Sequence, residues 1–413
     1  MFFYPHCRLA GWLLAALCLP APAWAGLSFD DALQLAQDQA PQLRAQHSAL
    51  AGAQAALPAA ATLPDPRLMV GVDNLPISGA DRWRLGADFM TMQRLGLVQE
   101  VPNSAKRQAR AASALARVER EHLLLARAQL AVRRDAGLAW LGLWFAGQRA
   151  APLADLAREN RLLLDTLDAR IAAGKALPAD RPMAELEALA LADRHDDAQR
   201  EVARARAALR RWVGARADDP LAGAAPAILV QADAVRAGVP RQAEIAPFSA
   251  LRALALAEAA EAEAESRGDW AWEVVYSRRG PAYGDMVSVQ LSFDLPWQTA
   301  QRQQPQAAAK RSEVSRIEAE RDDALRQRAE EVDAQLADLQ ALDAQRARLD
   351  GAGQALAATR VALALASYQA GRGDLASVLA ARREAAEVRL RLVALDSQRA
   401  ALQWRLDSLT WVP

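Results

Sequence analysis

The sequence predicts a mainly α-helical protein with a small β part, built from two copies of one unit. Two stretches of about 70 residues contain few helix-breaking residues, four short segments alternate between apolar and polar side chains, and short motifs recur 194 or 197 residues apart. Hydrophobic residues make up 52% of the 413 residues but aromatic residues only 5%. Alanine and leucine therefore carry the apolar content, as is typical of long, closely packed helices.

The charge of the chain is balanced, with 50 basic and 50 acidic side chains spread along the sequence. A nucleic-acid-binding protein needs a basic stripe that displaces counterions from phosphates, and no such stripe is visible. The mean hydropathy of -0.09 is also too polar for a bundle of transmembrane helices. The composition therefore excludes these two classes of protein.

The N-terminus has the pattern of a signal peptide. An apolar run at residues 9–19 follows Arg8, and Ala23 and Ala25 are small residues at the positions that a signal peptidase reads. We expect residues 1–25 to be removed by cleavage after Ala25. A membrane anchor is the weaker interpretation, because the run is about half as long as a bilayer-spanning helix.

Both cysteines lie in this leader. Loss of Cys7 and Cys18 leaves a mature chain without a disulfide or a thiolate metal site. Lipidation at Cys18 is disfavoured, because Leu17 stands where a small residue is expected. The sequence therefore predicts an exported, cysteine-free protein.

Short motifs identify the internal repeat. Residues 99–102 (QEVP) and 293–296 (FDLP) each close an alternating segment with an acid, an aliphatic residue and a proline, and each precedes a long helical stretch. Residues 170–175 (RIAAGK) and 367–372 (SYQAGR) each contain a glycine turn. A generic coiled-coil repeat is the alternative, but it does not explain why non-helical motifs recur as well.

Each copy is predicted to contain a helix, two strands, a long helix, a turn and a returning helix. The first copy, residues 26–214, has strands at about 67–73 and 85–101 and helices at about 103–171 and 179–213. The second copy, residues 246–413, has strands at about 270–278 and 286–295 and helices at about 298–369 and 375–411. Residues 215–245, which are rich in Ala, Pro, Asp and Gly, form an irregular linker.

The long helices need partners. About 70 residues at 1.5 Å per residue give a rod of roughly 105 Å, which cannot bury its own apolar seam. A heptad seam of this kind consists of Leu325, Ala329, Val332, Leu336 and Leu339. Such seams pack against neighbouring helices in coiled coils. We expect a kink or break at Pro152 in the first copy and at Gly351 and Gly353 in the second.

The four strands are predicted to have one apolar and one polar face. Alternation is free of errors from Val287 to Leu295. Aromatic residues near the strand ends (Trp83, Trp270, Trp272, Tyr283 and Trp297) are placed as in the girdles of outer-membrane barrels. Expected lipid-facing residues are Val289, Leu291, Phe293, Leu95 and Leu97. Expected lumen-facing residues are Asp88, Arg94, Gln290 and Ser292. Each strand taken alone also fits a soluble sheet over a core.

Four strands cannot close a barrel, and open strand edges are not tolerated in lipid. If the strands span a membrane, several chains must share one barrel. Three chains would supply about twelve strands around a water-filled lumen.

The sequence resembles the TolC-like outer-membrane efflux proteins over nearly the whole mature chain. Residues 27–36 (LSFDDALQLA) and 40–45 (APQLRA) are similar to the start of that family, and residues 368–372 (YQAGR) are similar to its periplasmic turn. Residues 73–76 (DNLP) and 88–102 (DFMTMQRLGLVQEVP) are similar to the CzcC-like branch, which serves heavy-metal exporters.

The resemblance implies a homotrimer in the outer membrane of a Gram-negative bacterium. Its strands would form one 12-stranded transmembrane β-barrel in lipid, and its helices a coiled-coil tunnel across the periplasm. A periplasmic adaptor and an inner-membrane RND pump would deliver the substrate, with heavy-metal cations favoured by the branch. A duct for drugs or organic compounds and a periplasmic adaptor protein remain the alternatives.

In this family the inward tip narrows to a gate of polar side chains beside glycine turns. The matching residues are Tyr368, Gly371, Arg372 and Asp374 in the second copy and Arg170, Gly174, Lys175 and Asp180 in the first. The first copy departs from the pattern, because no tyrosine precedes its turn, where Ile171 and Ala172 stand, and Pro178 follows it. The alternative is that these charges only solvate a helical turn.

No enzymatic site is visible. His47, His122 and His195 are far apart in sequence and have no metal-ligand spacing. Met90 and Met92 are predicted to share a strand face and could touch a soft cation, but two methionines do not make a selective site. We expect no catalytic residue, no cofactor and no resident metal.

Overall fold

The computed structural model describes residues 26–411, so the predicted signal peptide lies outside the described residues. Helices dominate the chain, and all four strands form one sheet. The first copy comprises α1 (Phe29–Gln39), α2 (Pro41–Ala60), β1 (Arg67–Asp73), β2 (Met92–Val101), α3 (Ser104–Ala172) and α4 (Asp180–Val213). The second comprises α6 (Pro247–Ala264), β3 (Trp270–Arg278), β4 (Met286–Phe293), α7 (Gln303–Arg348), α8 (Gln354–Gln369) and α9 (Leu375–Asp407).

The linker between the copies is less irregular than expected. It contains α5 (Ala232–Gly238) and the short 3-10 turns Gly214–Asp218 and Val239–Arg241. Val235 and Val239 are buried against the α7 and α9 residues Leu336 and Leu406. This apolar contact explains the local helix, because it gives the segment a buried face.

The sheet is antiparallel, with the order β1-β2-β3-β4. The central pair, β2 and β3, comes from different copies, with Leu97 opposite Val274. The two hairpins are therefore joined into one surface by hydrogen bonds between the repeats. The outer edges of β1 and β4 have no strand partner among residues 26–411.

Strand β2 begins at Met92, not at residue 85 as predicted. Polar side chains hold the preceding residues in turns instead: the Met90 amide donates to Asp88 Oδ1 at 2.7 Å, and Thr91 Oγ1 donates to the Asn74 carbonyl at 3.0 Å. Side chains of this kind offer the backbone partners that compete with a strand ladder. The expected strand positions Leu85 and Asp88 therefore lie outside the sheet.

The two long helices differ at their middles. α3 stays helical through Pro152, whereas the second long helix starts at Gln303 and is interrupted by a π-turn at Leu349–Gly353. Gly351 and Gly353 weaken the helix at this point, since glycine costs about 1 kcal/mol relative to alanine in a helix. α7 and α8 are thus two segments of one rod.

The main core lies where the N-terminal helix meets both copies. Phe29 of α1 makes edge-to-face contacts with Trp140 of α3 and Trp404 of α9, at centroid distances of 5.3 and 4.9 Å. The buried Trp140 indole donates to the Leu27 carbonyl at 3.1 Å. This aromatic cluster ties α1, α3 and α9 together.

The Trp404 ring packs directly on the backbone of Gly137 in α3. A Cβ added at Gly137 would lie 2.3 Å from Trp404 Nε1, whereas one added at Gly142 in the same helix would meet nothing within 4 Å. Gly137 is therefore required by the aromatic cluster, and Gly142 is not.

We predict that Gly137→Ala lowers the free energy of unfolding by about 1 to 3 kcal/mol, because the ring must move. Gly142→Ala is the matched control and should raise it by about 1 kcal/mol through helix propensity. Denaturation of both purified variants, followed by circular dichroism, measures the difference. An equal effect of the two substitutions would contradict the close approach of Trp404.

Candidate functional site: the sheet faces and the helical tips

One face of the sheet is apolar and exposed. Leu97, Val274 and Val289 lie in one row across three strands. All five expected lipid-facing residues lie on this face, with Val289 69%, Leu291 56%, Phe293 64%, Leu95 49% and Leu97 40% exposed. No element of residues 26–411 covers this face, so in the single chain it is open to its surroundings.

The opposite face is polar and carries ion pairs. Arg94 donates to Asp73 at 2.7 Å and lies 3.6 Å from Glu273, on the neighbouring strands. Gln290 lies opposite Glu273 in the register, and Ser292 lies two residues further along the same strand. Asp88, the fourth expected lumen-facing residue, lies in the turn before β2 and not on this face.

Where the sheet meets the helices, a polar cluster joins the two copies. The backbone N–H of Asn103 donates to Asp269 Oδ1 at 2.8 Å. Lys106 Nζ donates to Asp269 Oδ2 at 3.0 Å and lies 2.6 Å from a Glu265 carboxylate oxygen. Asn103 also caps α3 by accepting from the Lys106 amide at 2.9 Å. The cluster thus links the start of α3 to the residue that precedes β3 in the other copy.

The pKa values of this cluster follow from its hydrogen bonds. Burial alone would raise the pKa of Asp269, but the hydrogen bonds from Asn103 and Lys106 lower it below its ordinary value. Burial would likewise lower the pKa of Lys106, but Glu265 and Asp269 raise it. Both groups are therefore charged near neutral pH, and they form an ion pair between the two copies. The sequence analysis did not identify it, because its members are 163 to 166 residues apart.

At the far end of the helices, side chains of both copies meet. The Tyr368 hydroxyl, at the end of α8, lies 3.4 Å from Asp180 Oδ2 at the start of α4. The Arg170 guanidinium of α3 stacks on the Tyr368 ring, 4.6 Å from its centroid. Tyr368 and Asp180 are 5% and 6% exposed. Burial, and then the charge of Asp180, raise the pKa of the Tyr368 hydroxyl, so this residue stays protonated.

The two glycine turns have the left-handed backbone that such helix ends require. Gly174 has φ 68° and Gly371 has φ 72°. Asp374 caps α9 by accepting from the Ser377 amide at 2.8 Å, and the hydrogen bonds from Ser377 lower the pKa of Asp374. Asp374 is thus a helix cap as well as a charge.

The remaining two tip candidates are exposed. Within the part of the chain that the structure describes, the side chains of Lys175 and Arg372 form no ion pair or hydrogen bond. Of the eight tip residues, Arg170, Asp180 and Tyr368 form the contact between the copies. Gly174, Gly371 and Asp374 shape the turns, and Lys175 and Arg372 project into the surroundings.

The metal question has a simple geometric answer for the described residues. Residues 26–411 contain no group of three or more His, Cys, Asp or Glu side chains arranged to hold a metal ion. Met90 lies in the turn before β2 and Met92 at its start, so the prediction that they share a strand face is wrong. No helix in this part of the chain is long and apolar enough to cross a membrane.

Several solved structures of outer-membrane proteins have the same architecture. The outer membrane protein VceC from Vibrio cholerae matches with a TM-score of 0.78 at 18% identity, covering 92% of this chain and 96% of VceC. The CmeC outer membrane channel of Campylobacter jejuni matches with 0.71 at 11% identity, covering 98% and 93%. The open state of the MtrE outer membrane channel of Neisseria gonorrhoeae matches with 0.66 at 14% identity, covering 94% and 89%.

No protein-family profile matches the chain, and no curated protein is significantly similar to it in sequence. The likeness is therefore one of structure. The chain has the fold of these outer-membrane channels, which confirms the predicted fold class, mainly α with a small β part.

Proposed function

We propose that the protein is the outer-membrane channel of a tripartite efflux system. Three chains would close one barrel in the outer membrane and continue as a helical duct into the periplasm. There an adaptor and an inner-membrane RND pump would deliver the substrate. The observation that carries the proposal is the apolar, uncovered face of a sheet whose two edges are open. Its fold, shared with known outer-membrane channels, supports the same conclusion.

The physical argument starts from the strand edges. In hydrocarbon every unpaired backbone N–H and C=O costs several kcal/mol, so an open four-stranded sheet cannot lie in a bilayer. Pairing β4 of one chain with β1 of the next chain removes both open edges without any change within a chain. Three chains with four strands each give about twelve strands, enough for a barrel with a water-filled interior.

Closure also assigns the two faces. The face of Leu291 and Phe293 would contact lipid, and the face of Arg94, Gln290 and Ser292 would line the lumen. An ion network such as Arg94 with Asp73 and Glu273 suits a wet lumen, because charges facing hydrocarbon are strongly disfavoured.

An adaptor protein, the alternative class, is disfavoured by topology. Adaptors carry one helical hairpin among several small β domains. Here all four strands belong to one sheet at the end of two helical repeats. A catalytic role finds no support in the side chains described above, so we propose a duct and not an enzyme.

The lipid-facing assignment gives a paired test. Leu291→Arg should cost about 2 to 4 kcal/mol near the bilayer midplane and reduce the amount of assembled trimer in the outer membrane. Gln290→Arg, one residue away on the opposite face, is the matched control and should assemble normally. Trimer is measured in isolated outer membranes. Normal assembly of Leu291→Arg, or an equal loss in both variants, would contradict the assignment.

We propose that the tip residues form the periplasmic gate, with Tyr368, Asp180 and Arg170 holding the two copies together. A contact of this kind is suited to a switch, because few interactions must break to let α8 move away from α4. Arg372 and Lys175 are exposed beside the glycine turns and would face the other chains of the trimer. The alternative, that they only solvate the turns, predicts no effect of their removal.

Asp180→Asn combined with Arg170→Gln should open the resting duct and lower the inhibitory concentration of a large hydrophilic antibiotic several-fold. Asp180→Asn keeps the side-chain size and removes the carboxylate charge, and Arg170→Gln removes the guanidinium that stacks on the Tyr368 ring. Arg158→Gln is the control on the same helix, since its ion pair with Asp155 is exposed. The double variant Arg372→Ala, Asp374→Ala should act in the same direction. Unchanged susceptibility at normal protein levels would count against the gate.

We propose heavy-metal cations as the substrate, on the strength of the CzcC-like segments at residues 73–76 and 88–102. The metal would be cargo selected by the pump, because the chain itself offers no metal-binding cluster within residues 26–411. A deletion strain should lose tolerance to some of zinc, cobalt, cadmium, copper and silver and regain it when the gene is restored. A defect confined to hydrophobic drugs would keep the duct and exclude metals as its substrate.

A further inference from the structure

A cavity of about 410 Å³ lies in a groove between α3 and α8. Helix α9 forms the floor of this groove, because it packs on both of those helices. Most of the side chains that line the cavity are alanine, valine, leucine or proline, and three are charged: Glu159, Arg382 and Arg389. An apolar cavity of this size with a few polar groups is typical of a small-molecule site.

The floor of the cavity belongs to the packed interior of the chain. Leu156 of α3 and Ala386 of α9 are buried against Leu191 of α4. On the α8 side, Ala355 and Ala358 line the cavity and are exposed. The cavity therefore has a fixed floor and an accessible side.

The guanidinium of Arg382 lacks a hydrogen-bond acceptor. The Arg382 side chain is 17% exposed, and its Nε and Nη1 atoms are buried without a hydrogen-bond partner within residues 26–411. Glu159 Oε2 lies 3.6 Å from Arg382 Nε, which is too far for a hydrogen bond. A buried charged donor without an acceptor is destabilising, so an anion placed beside Arg382 would relieve this cost.

A second cation lies on the same side of α9. Arg389 follows Arg382 by seven residues, which is two helical turns, and both side chains line the cavity. In the part of the chain that the structure describes, Arg389 forms no ion pair. With Glu159 as the single carboxylate, the lining has an excess of one positive charge. This balance favours an anionic ligand.

The first copy does not repeat this site. At the repeat spacing of 197 residues, Arg161 of α3 corresponds to Ala358 of α8. Glu185 of α4 corresponds to Arg382 of α9. The small side chain and the cation that make the site are therefore specific to the second copy and do not follow from the repeat.

The cavity adjoins the interruption of the second rod. The π-turn ends at Gly353, and the next residue, Gln354, lines the cavity. Such turns inside helices are frequent at functional sites. A ligand in the cavity would contact both α3 and α8 at the point where the second rod is interrupted.

We propose that this cavity binds an amphiphilic organic anion, with its apolar body on the alanine and valine side chains and its carboxylate or sulfonate group on Arg382. A helix with a diameter of about 10 Å would fill the same volume with about one turn, so the cavity suits a small molecule better than a segment of a partner protein. All the lining residues belong to one chain. The site therefore depends neither on the proposed trimer nor on the proposed cargo.

Isothermal titration calorimetry of the full-length protein in a non-ionic detergent tests the site, with empty micelles as the blank. The anionic probe is 2-naphthoate, and 2-naphthamide has the same rings without the charge. The naphthoate should bind about tenfold more tightly than the amide, because a carboxylate accepts stronger hydrogen bonds from a guanidinium. Equal affinities, or no binding of the naphthoate, would overturn the proposal.

The two members of the loose ion pair should have opposite effects. Arg382→Gln should weaken naphthoate binding about tenfold or more, because it removes the guanidinium. Glu159→Gln should strengthen it, because it removes the carboxylate that competes for Arg382. A purely structural ion pair predicts a change in the same direction for both variants. Arg391→Gln is the control, because Arg391 lies nine residues after Arg382, on the opposite side of α9.

Filling the cavity gives a test that removes no charge. Ala358→Phe should abolish binding of both probes, because the ring would occupy the apolar part of the cavity. Circular dichroism of each variant verifies that the helices are folded. Unchanged naphthoate binding by folded Ala358→Phe would overturn the proposal, as would equal effects of Arg382→Gln and Glu159→Gln.

Discussion

The structure depends on one constraint: a sheet with an apolar face and two open edges cannot be stable alone in any solvent. In water its exposed leucines and valines would be uncovered, and in lipid its edge strands would leave backbone groups unpaired. The chain does not resolve this conflict itself, since no other element of residues 26–411 lies on that face. The proposed pairing with further chains would resolve it, and the helices that extend from the sheet would then surround a common axis.

The two copies share a plan but differ in their long helices. The first copy carries an unbroken rod, α3, which is joined to the sheet by the ionic cluster of Asn103, Lys106 and Asp269. The second copy carries a rod that is interrupted by a π-turn and ends in the apolar helix α8. In the proposed duct, the interruption would be the place where the tip of the second copy bends relative to the first.

Local patterns in the sequence were sufficient for the elements with strong periodicity. Alternation from Val287 to Phe293 and the absence of breakers in α3 are properties of neighbouring residues, so they could be predicted. The start of β2 could not, because it depends on two hydrogen bonds that compete with the ladder: the Met90 amide donates to Asp88, and Thr91 Oγ1 donates to the Asn74 carbonyl. The prediction that Met90 and Met92 share a strand face failed for the same reason.

The candidate site shows the same division. The glycine turns and the polar residues beside them could be recognised from the repeat and the family resemblance. Their grouping could not, because Tyr368 and Asp180 are separated by 188 residues and meet only through the packing of four helices. The ion pair between Lys106 and Asp269 could not be predicted, because nothing in the local sequence of Lys106 indicates a partner in the other copy.

The number of copies in the detergent-extracted outer-membrane particle tests the central claim most directly. Native mass spectrometry should find three copies, because four strands per chain then close a barrel of about twelve. A particle with a single copy, extracted under conditions that keep the helices folded, would contradict the shared barrel. The open edges of β1 and β4 would then need another explanation.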